Sequence, residues 1–111
     1  MSGIQIQGQN ILHMRGDTGI LKLNLTSNGE PYEMSGDDVA VFTVKKNTKS
    51  EDILLQKTST DGAFYFDHFD TQNLKAGIYV YDVQLSLSDG QVITVLGPGV
   101  YKLLPDVTTN Q

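Results

Sequence analysis

From Tyr79 to Leu87 every second residue of the chain is apolar or aromatic, namely Tyr79, Tyr81, Val83, Leu85 and Leu87, and Asp82, Gln84 and Ser86 stand between them. A period of two kept up over such a length is that of a central strand, buried on one side and more polar on the other. Gly77 marks a corner in front of it. Behind it comes Asp89-Gly90, the strongest two-residue hairpin signal, because both central positions of that turn need positive φ. The chain is therefore expected to turn back after Leu87 and to pair Gln91–Leu96 against this strand.

The 111 residues suffice for one domain with a core of its own. There is no cysteine, which removes disulfides, thiolate metal sites and cysteine nucleophiles together, and favours assembly in a reducing cytoplasm. A formal charge of −5, from 13 acidic against 8 basic residues, speaks against a nucleic-acid partner, which would require a basic stripe. Met1–Asn10 has no basic region followed by an apolar core, and no apolar run approaches the length of a membrane span. The expectation is a protein with neither secretory signal nor membrane insertion. Eleven glycines, with turn signals every 8–12 residues or about that, mark an all-β sandwich or barrel.

In chain order, Ile4 to Gln7 alternates briefly, as an edge strand or an arm, and Ile11 to Met14 continues it. Leu21, Leu23 and Leu25 alternate with Lys22, Asn24 and Thr26 as a strong strand. Asn28-Gly29 makes a turn, and Tyr32 to Asp38 a loop with Met34 under the sandwich edge. In Val39–Lys46 the core positions are Ala40, Phe42 and Val44, which leaves Val39, Val41 and Thr43 facing out. Ile53 to Thr58 is a short strand, and Phe64 and Phe66 share one face of the next. Asp70 has the chemistry of a helix cap and Gly77 that of a stop, so one helical turn is expected between them. Gly97-Pro98-Gly99 breaks or bulges the last strand, which resumes from Val100 to Leu104. The divisions expected are an N-terminal arm or edge strand over 1–13, a sandwich domain over 14–106 and a tail over 107–111.

Seven to eight antiparallel strands with a corner crossing are what an immunoglobulin-like sandwich requires. The Leu74, Gly77, Tyr79 spacing fits a tyrosine corner, in which Tyr79 bonds back to the corner backbone. Tyr81 then takes the core position that a cysteine holds in antibody domains.

Several motifs yield to plainer readings. Arg15-Gly16-Asp17 is the tripeptide that integrins read, but it adjoins a strand, so a glycine kink is favoured. Asn24-Leu25-Thr26 matches a glycosylation acceptor inside a predicted strand. His68, between Asp67 and Asp70, reads as a solvated turn. Asp37, Asp38, Asp61, Asp89 and Asp106 sit at turns, where Asp bonds local backbone, and show no calcium-loop spacing. No nucleophile elbow or phosphate loop is present, so neither an enzyme nor a cofactor is expected. The spare apolar residues are the sharper hint. Val39 and Val41, Ile93 and Val95 or their neighbours, and Ile78 with Val80 lie opposite the assigned core, where either loops or the N-terminal arm cover them or they form a subunit interface.

Arg15-Gly16-Asp17-Thr18, Gly29-Glu30-Pro31-Tyr32, Phe42 to Lys46, the run LxxGxYxYDVQL from Leu74, Asp89-Gly90 and Leu104 to Thr108 together resemble the N-terminal domain of baseplate upper proteins. Related small tail and fibre proteins of phages of Gram-positive bacteria share the likeness, which spans about Met14 to Thr108. The resemblance implies a virion structural or adaptor module, made in the bacterial host cytoplasm, that docks in repeated copies onto other phage structural proteins. The expected contacts are Val39, Val41, Ile93 and Val95, with Ile4 and Ile6 adding a strand to a neighbour's sheet. The alternative from another class is a host-surface adhesin or carbohydrate-binding module, possibly calcium-dependent, using Tyr32, Tyr65 and Tyr101.

Overall fold

The computed structural model describes residues 4–7, 10–27, 29–34 and 36–105. The predicted tail over 107–111, Asp106 and Asn28 of the first turn lie outside them. The strands are β1 (Ile4–Gln7), β2 (Asn10–Met14), β3 (Gly19–Lys22), β4 (Thr26–Ser27), β5 (Glu30–Pro31), β6 (Val39–Lys45), β7 (Ile53–Ser59), β8 (Ala63–Phe66), β9 (Gly77–Ser86) and β10 (Val92–Leu104). One helical turn, α1 (His68–Thr71), lies between β8 and β9.

The chain is an all-β sandwich. A large sheet of six strands in the order β1-β2-β10-β9-β6-β7 packs against the antiparallel pair β3–β8, and β4–β5 form a small separate ribbon. One pairing departs from the antiparallel expectation: β2 runs parallel to β10, with Ile11 to Met14 opposite Tyr101 to Leu104. β1 and β2 thus belong to the large sheet, β2 inside it and β1 at its edge. β1 pairs with β2 of its own chain, with Ile4 opposite His13 and Ile6 opposite Ile11, and so forms an edge strand of this sheet.

Alternation decides which residues go inside. Along β6, Ala40, Phe42 and Val44 are fully buried; along β9, Tyr81, Val83 and Leu85 are buried, and both strands face Leu21 of β3 and Phe64 and Phe66 of β8. Phe42 sits at the junction of the layers, nearly parallel to Tyr81 with ring centroids 5.6 Å apart and edge-on to Phe66 at 5.5 Å. Burial of each such side chain contributes roughly 1.5–3 kcal/mol.

The corner before β9 forms three residues earlier than the sequence suggests. Asp67, extended at φ −108°, caps α1: its Oδ1 accepts from the N–H groups of Phe69 and Asp70, and Asp70 Oδ2 accepts from the Asp67 N–H at 2.8 Å. Asp70 is the far half of a capping box, and Asp67 wins the cap because both carboxylates can then be satisfied at once. Lys57 Nζ completes the set, 2.8 Å from Asp70 Oδ2.

The turn after β9 differs in one respect. Gly90 N–H donates to Leu87 C=O and Leu87 N–H to Gln91 C=O, and at Asp89-Gly90 positive φ falls on Gly90 alone, at 94°. This is a three-residue loop of a turn plus one left-handed residue, the next commonest hairpin solution. Farther on, β10 runs through Gly97-Pro98-Gly99 with register shifts on both sides of Leu96. Gly97 is required there: at φ +86° a Cβ would lie 2.7 Å from the Tyr81 carbonyl oxygen.

Candidate interaction face

Pairing across the strands fixes which residues share the outer face of the large sheet. Val80 of β9 stands between Lys45 of β6 and Val100 of β10; Ile78 stands beside Lys102, which neighbours Leu12 of β2. Toward the other end Val39 and Val41 of β6 pair with Ser86 and Gln84, and Val92 of β10 also pairs with Ser86. Two apolar groups result, separated by the polar residues Thr43, Asp82, Gln84 and Thr94.

The first group is the more exposed: Ile78 is 67% accessible and Val100 36%, while Val92 of the second is 62% accessible. Val39, Val41 and Val80 are half-buried by their neighbours. Between the groups the β10 bulge leaves an open depression of about 180 Å³ lined by Thr43, Lys45, Thr48, Val80, Tyr81, Asp82 and Pro98. Chemically this face can bury apolar surface and exchange a few hydrogen bonds through Thr43, Lys45 and Asp82.

The predicted contacts are only partly brought together. Val39 and Val41 share the outer face. Ile93 does not: it pairs with Leu85, a core residue, and so lies on the inner side of the sheet, 42% exposed near its end. Val95 does not either, since it falls in the register shift between Thr94 and Leu96 and packs half-buried against the core. Their neighbours Val92 and Thr94 hold the outward positions, because they pair with Ser86 and Gln84, which alternate outward along β9. Of Ile4 and Ile6 the backbone pairing above is what is described.

Tyr79 is half-buried, and its hydroxyl donates to the Lys75 carbonyl, four residues upstream, at 2.5 Å. This is the bond of a tyrosine corner, and it ties the start of β9 to the segment after α1.

The Arg15-Gly16-Asp17 turn is locked to the body of the domain. Gly16, at φ +82°, donates its N–H to Thr71 Oγ1 at 2.8 Å, and its carbonyl accepts from His68 Nδ1 at 2.9 Å. Arg15 N–H donates to Leu104 C=O and Asp17 N–H to Met14 C=O. His68 is therefore a half-buried anchor between α1 and this turn, where a solvated position was expected. Asp38 also does more than cap a turn: it is buried, accepts from the Tyr32 hydroxyl at 2.6 Å and from the Ser88 N–H at 3.1 Å, and so joins the loop before β6 to the β9–β10 hairpin. That carboxylate pushes the Tyr32 hydroxyl above its ordinary titration range.

The tyrosines proposed as a sugar platform are dispersed. Tyr101 is fully buried in the core, Tyr32 is held by Asp38, and Tyr65 is exposed on β8. Among the described residues no three His, Asp or Glu side chains gather as metal ligands would, and no helix is long and apolar enough to cross a membrane.

His13 escaped the sequence reading altogether. It is fully buried on β2, bonded to Tyr101 and to the Asp17 carbonyl. The signal for it was its shared parity with Ile11, which puts both on the inward side of one strand.

The architecture thus defines a β-sandwich with an open, partly apolar outer sheet face. Compared with models of known families, with curated proteins and with solved structures, the chain matches none.

Proposed function

We propose that this chain is a non-enzymatic structural or adaptor module of a phage particle, a baseplate, tail or fibre component acting through protein–protein contacts. The observation that carries the contact role is the outer face of the large sheet, where Ile78, Val92 and Val100 are exposed on strands whose other faces form the core. Burying a side chain of this size is worth roughly 1.5–3 kcal/mol before the costs of association are subtracted. Lys45 and Lys102 border the patch and set orientation more than affinity. The virion setting rests on the likeness of the strand and turn motifs to baseplate upper proteins.

The setting is tested by following the tagged protein through density-gradient purification of phage particles. Co-sedimentation at a fixed ratio to the other particle proteins is expected. Recovery in the soluble fraction alone would overturn the virion role. For the carbohydrate-binding alternative, Tyr65 is exposed on β8, while Tyr101 is buried and Tyr32 is held by Asp38.

A further inference from the structure

Both ring nitrogens of His13 are engaged inside the core. Nε2 faces the Asp17 carbonyl at 2.9 Å, and a carbonyl can only accept, so Nε2 carries the hydrogen. Nδ1 is then the acceptor for the Tyr101 hydroxyl, 2.5 Å away. This is the neutral imidazole with each role filled. A proton added at Nδ1 turns that acceptor into a donor aimed at the Tyr101 oxygen, whose own hydrogen must then find another partner. The Phe66 ring, edge-on to the imidazole at 5.5 Å, is apolar and brings no strong acceptor to this side of it.

The charged groups bearing on the ring are Asp17 on its turn and Asp70 on α1, both of which favour a proton, while Tyr101 of β10 is held neutral by burial. Desolvation outweighs the two carboxylates and holds His13 below the ordinary histidine range.

His13 also lies on the strand that links β1 to the rest of the sheet. β2 meets β10 over four pairings only, and β1 is paired through β2 alone among the described residues. The chain just beyond is anchored without His13, because both backbone groups of Gly16 are bonded to α1 side chains.

We infer that the β1–β2 pair is an acid-released strap: protonation of His13 unseats β2, and β1 with it, from β10, while the Arg15–Gly16 turn stays pinned to α1 as the hinge. Release uncovers the backbone edge of β10 from Tyr101 to Leu104, a row of donors and acceptors that an extended polypeptide segment can occupy. The inference is independent of the outer face and of the virion setting.

Hydrogen exchange read by mass spectrometry on the intact chain, near neutrality and about one unit below the histidine range, tests it after correction for the intrinsic rate at each pH. On acidification, protection of β1 and β2 should fall relative to β6 and β9, by up to about tenfold per pH unit, the limit for an opening linked to uptake of one proton. In His13→Gln, which keeps a polar but uncharged side chain, the ratio should not change with pH. Because that variant could lose its fold, the native protein supplies a second readout: the midpoint of the His13 ring titration by NMR should coincide with the midpoint of exposure. Loss of protection spread evenly over all strands, the same acid response in a folded His13→Gln, or two midpoints that differ would each overturn the strap.

Discussion

Truncating Phe42 to alanine is the sharpest test of how the two layers are joined. The ring is fully buried and meets Tyr81 at 5.6 Å, Phe66 at 5.5 Å, Phe64 at 5.8 Å and Tyr101 at 6.0 Å. Removing a buried phenyl ring costs about 3–5 kcal/mol through lost transfer energy and the cavity left behind. Here the upper half of that range applies. The cavity walls are themselves large rings from three strands besides β6, which cannot all relax inward together, and each lost aromatic pair adds about 0.5–1.5 kcal/mol. A domain of this size holds roughly 5–15 kcal/mol in all, so Phe42→Ala should be folded only marginally. Urea unfolding followed by far-ultraviolet circular dichroism measures it, with Phe42→Leu as an intermediate step. The midpoint should drop in both while the slope stays near the parent value. A loss under about 1 kcal/mol for Phe42→Ala would refute the placement of this ring at the junction.

Three further outcomes follow from the same structure. Gly97→Ala should lose about 2 kcal/mol or more in the same assay, because the left-handed backbone at φ +86° and the Tyr81 carbonyl 2.7 Å from the new Cβ both oppose it; a neutral substitution would show that the bulge is not built as described. Tyr79→Phe should cost about 1 kcal/mol, the net worth of its bond to Lys75, and a variant as stable as the parent would mean that the corner does not depend on it. Stability should fall at both ends of the pH scale. Burial lowers the proton affinity of folded His13, so below the ordinary histidine value of 6.5 the unfolded chain binds more protons and stability drops as pH falls. Burial raises Tyr81 and Tyr101, so above the ordinary tyrosine value of 10.0 the unfolded chain gives up its protons first and stability drops as pH rises. Thermal midpoints across pH read both arms, and a flat profile through either window contradicts the buried positions of these groups.

What could be read from the residues was what obeys a local period. The inward sets Ala40, Phe42, Val44 and Tyr81, Val83, Leu85 follow from alternation, as do Phe64 and Phe66, and the interruption at Gly97-Pro98-Gly99 announces its own bulge. Features decided by distant partners were not legible. The parallel pairing of β2 with β10 joins the two ends of the chain, and His13 meets its tyrosine across 88 positions of sequence. The cap of α1 was misplaced because two aspartates compete, and only the back-bond from Asp67 N–H to Asp70 settles which one leads. Ile93 and Val95 are misassigned because Gln91–Leu96 has no apolar–polar alternation to mark its sides, and only the pairing of Ile93 with Leu85 shows which side is inward.

The outer face carries the central claim, and Ile78→Lys addresses it most directly. The side chain is 67% exposed, so a charge there leaves the core untouched and bears on contacts alone. Static light scattering of the parent and of this variant over a range of concentrations gives the native mass. A defined oligomer for the parent and a monomer of unchanged thermal midpoint for Ile78→Lys is the expected result. A parent that stays monomeric throughout, or a variant that associates as the parent does, would contradict the assignment of this face to assembly.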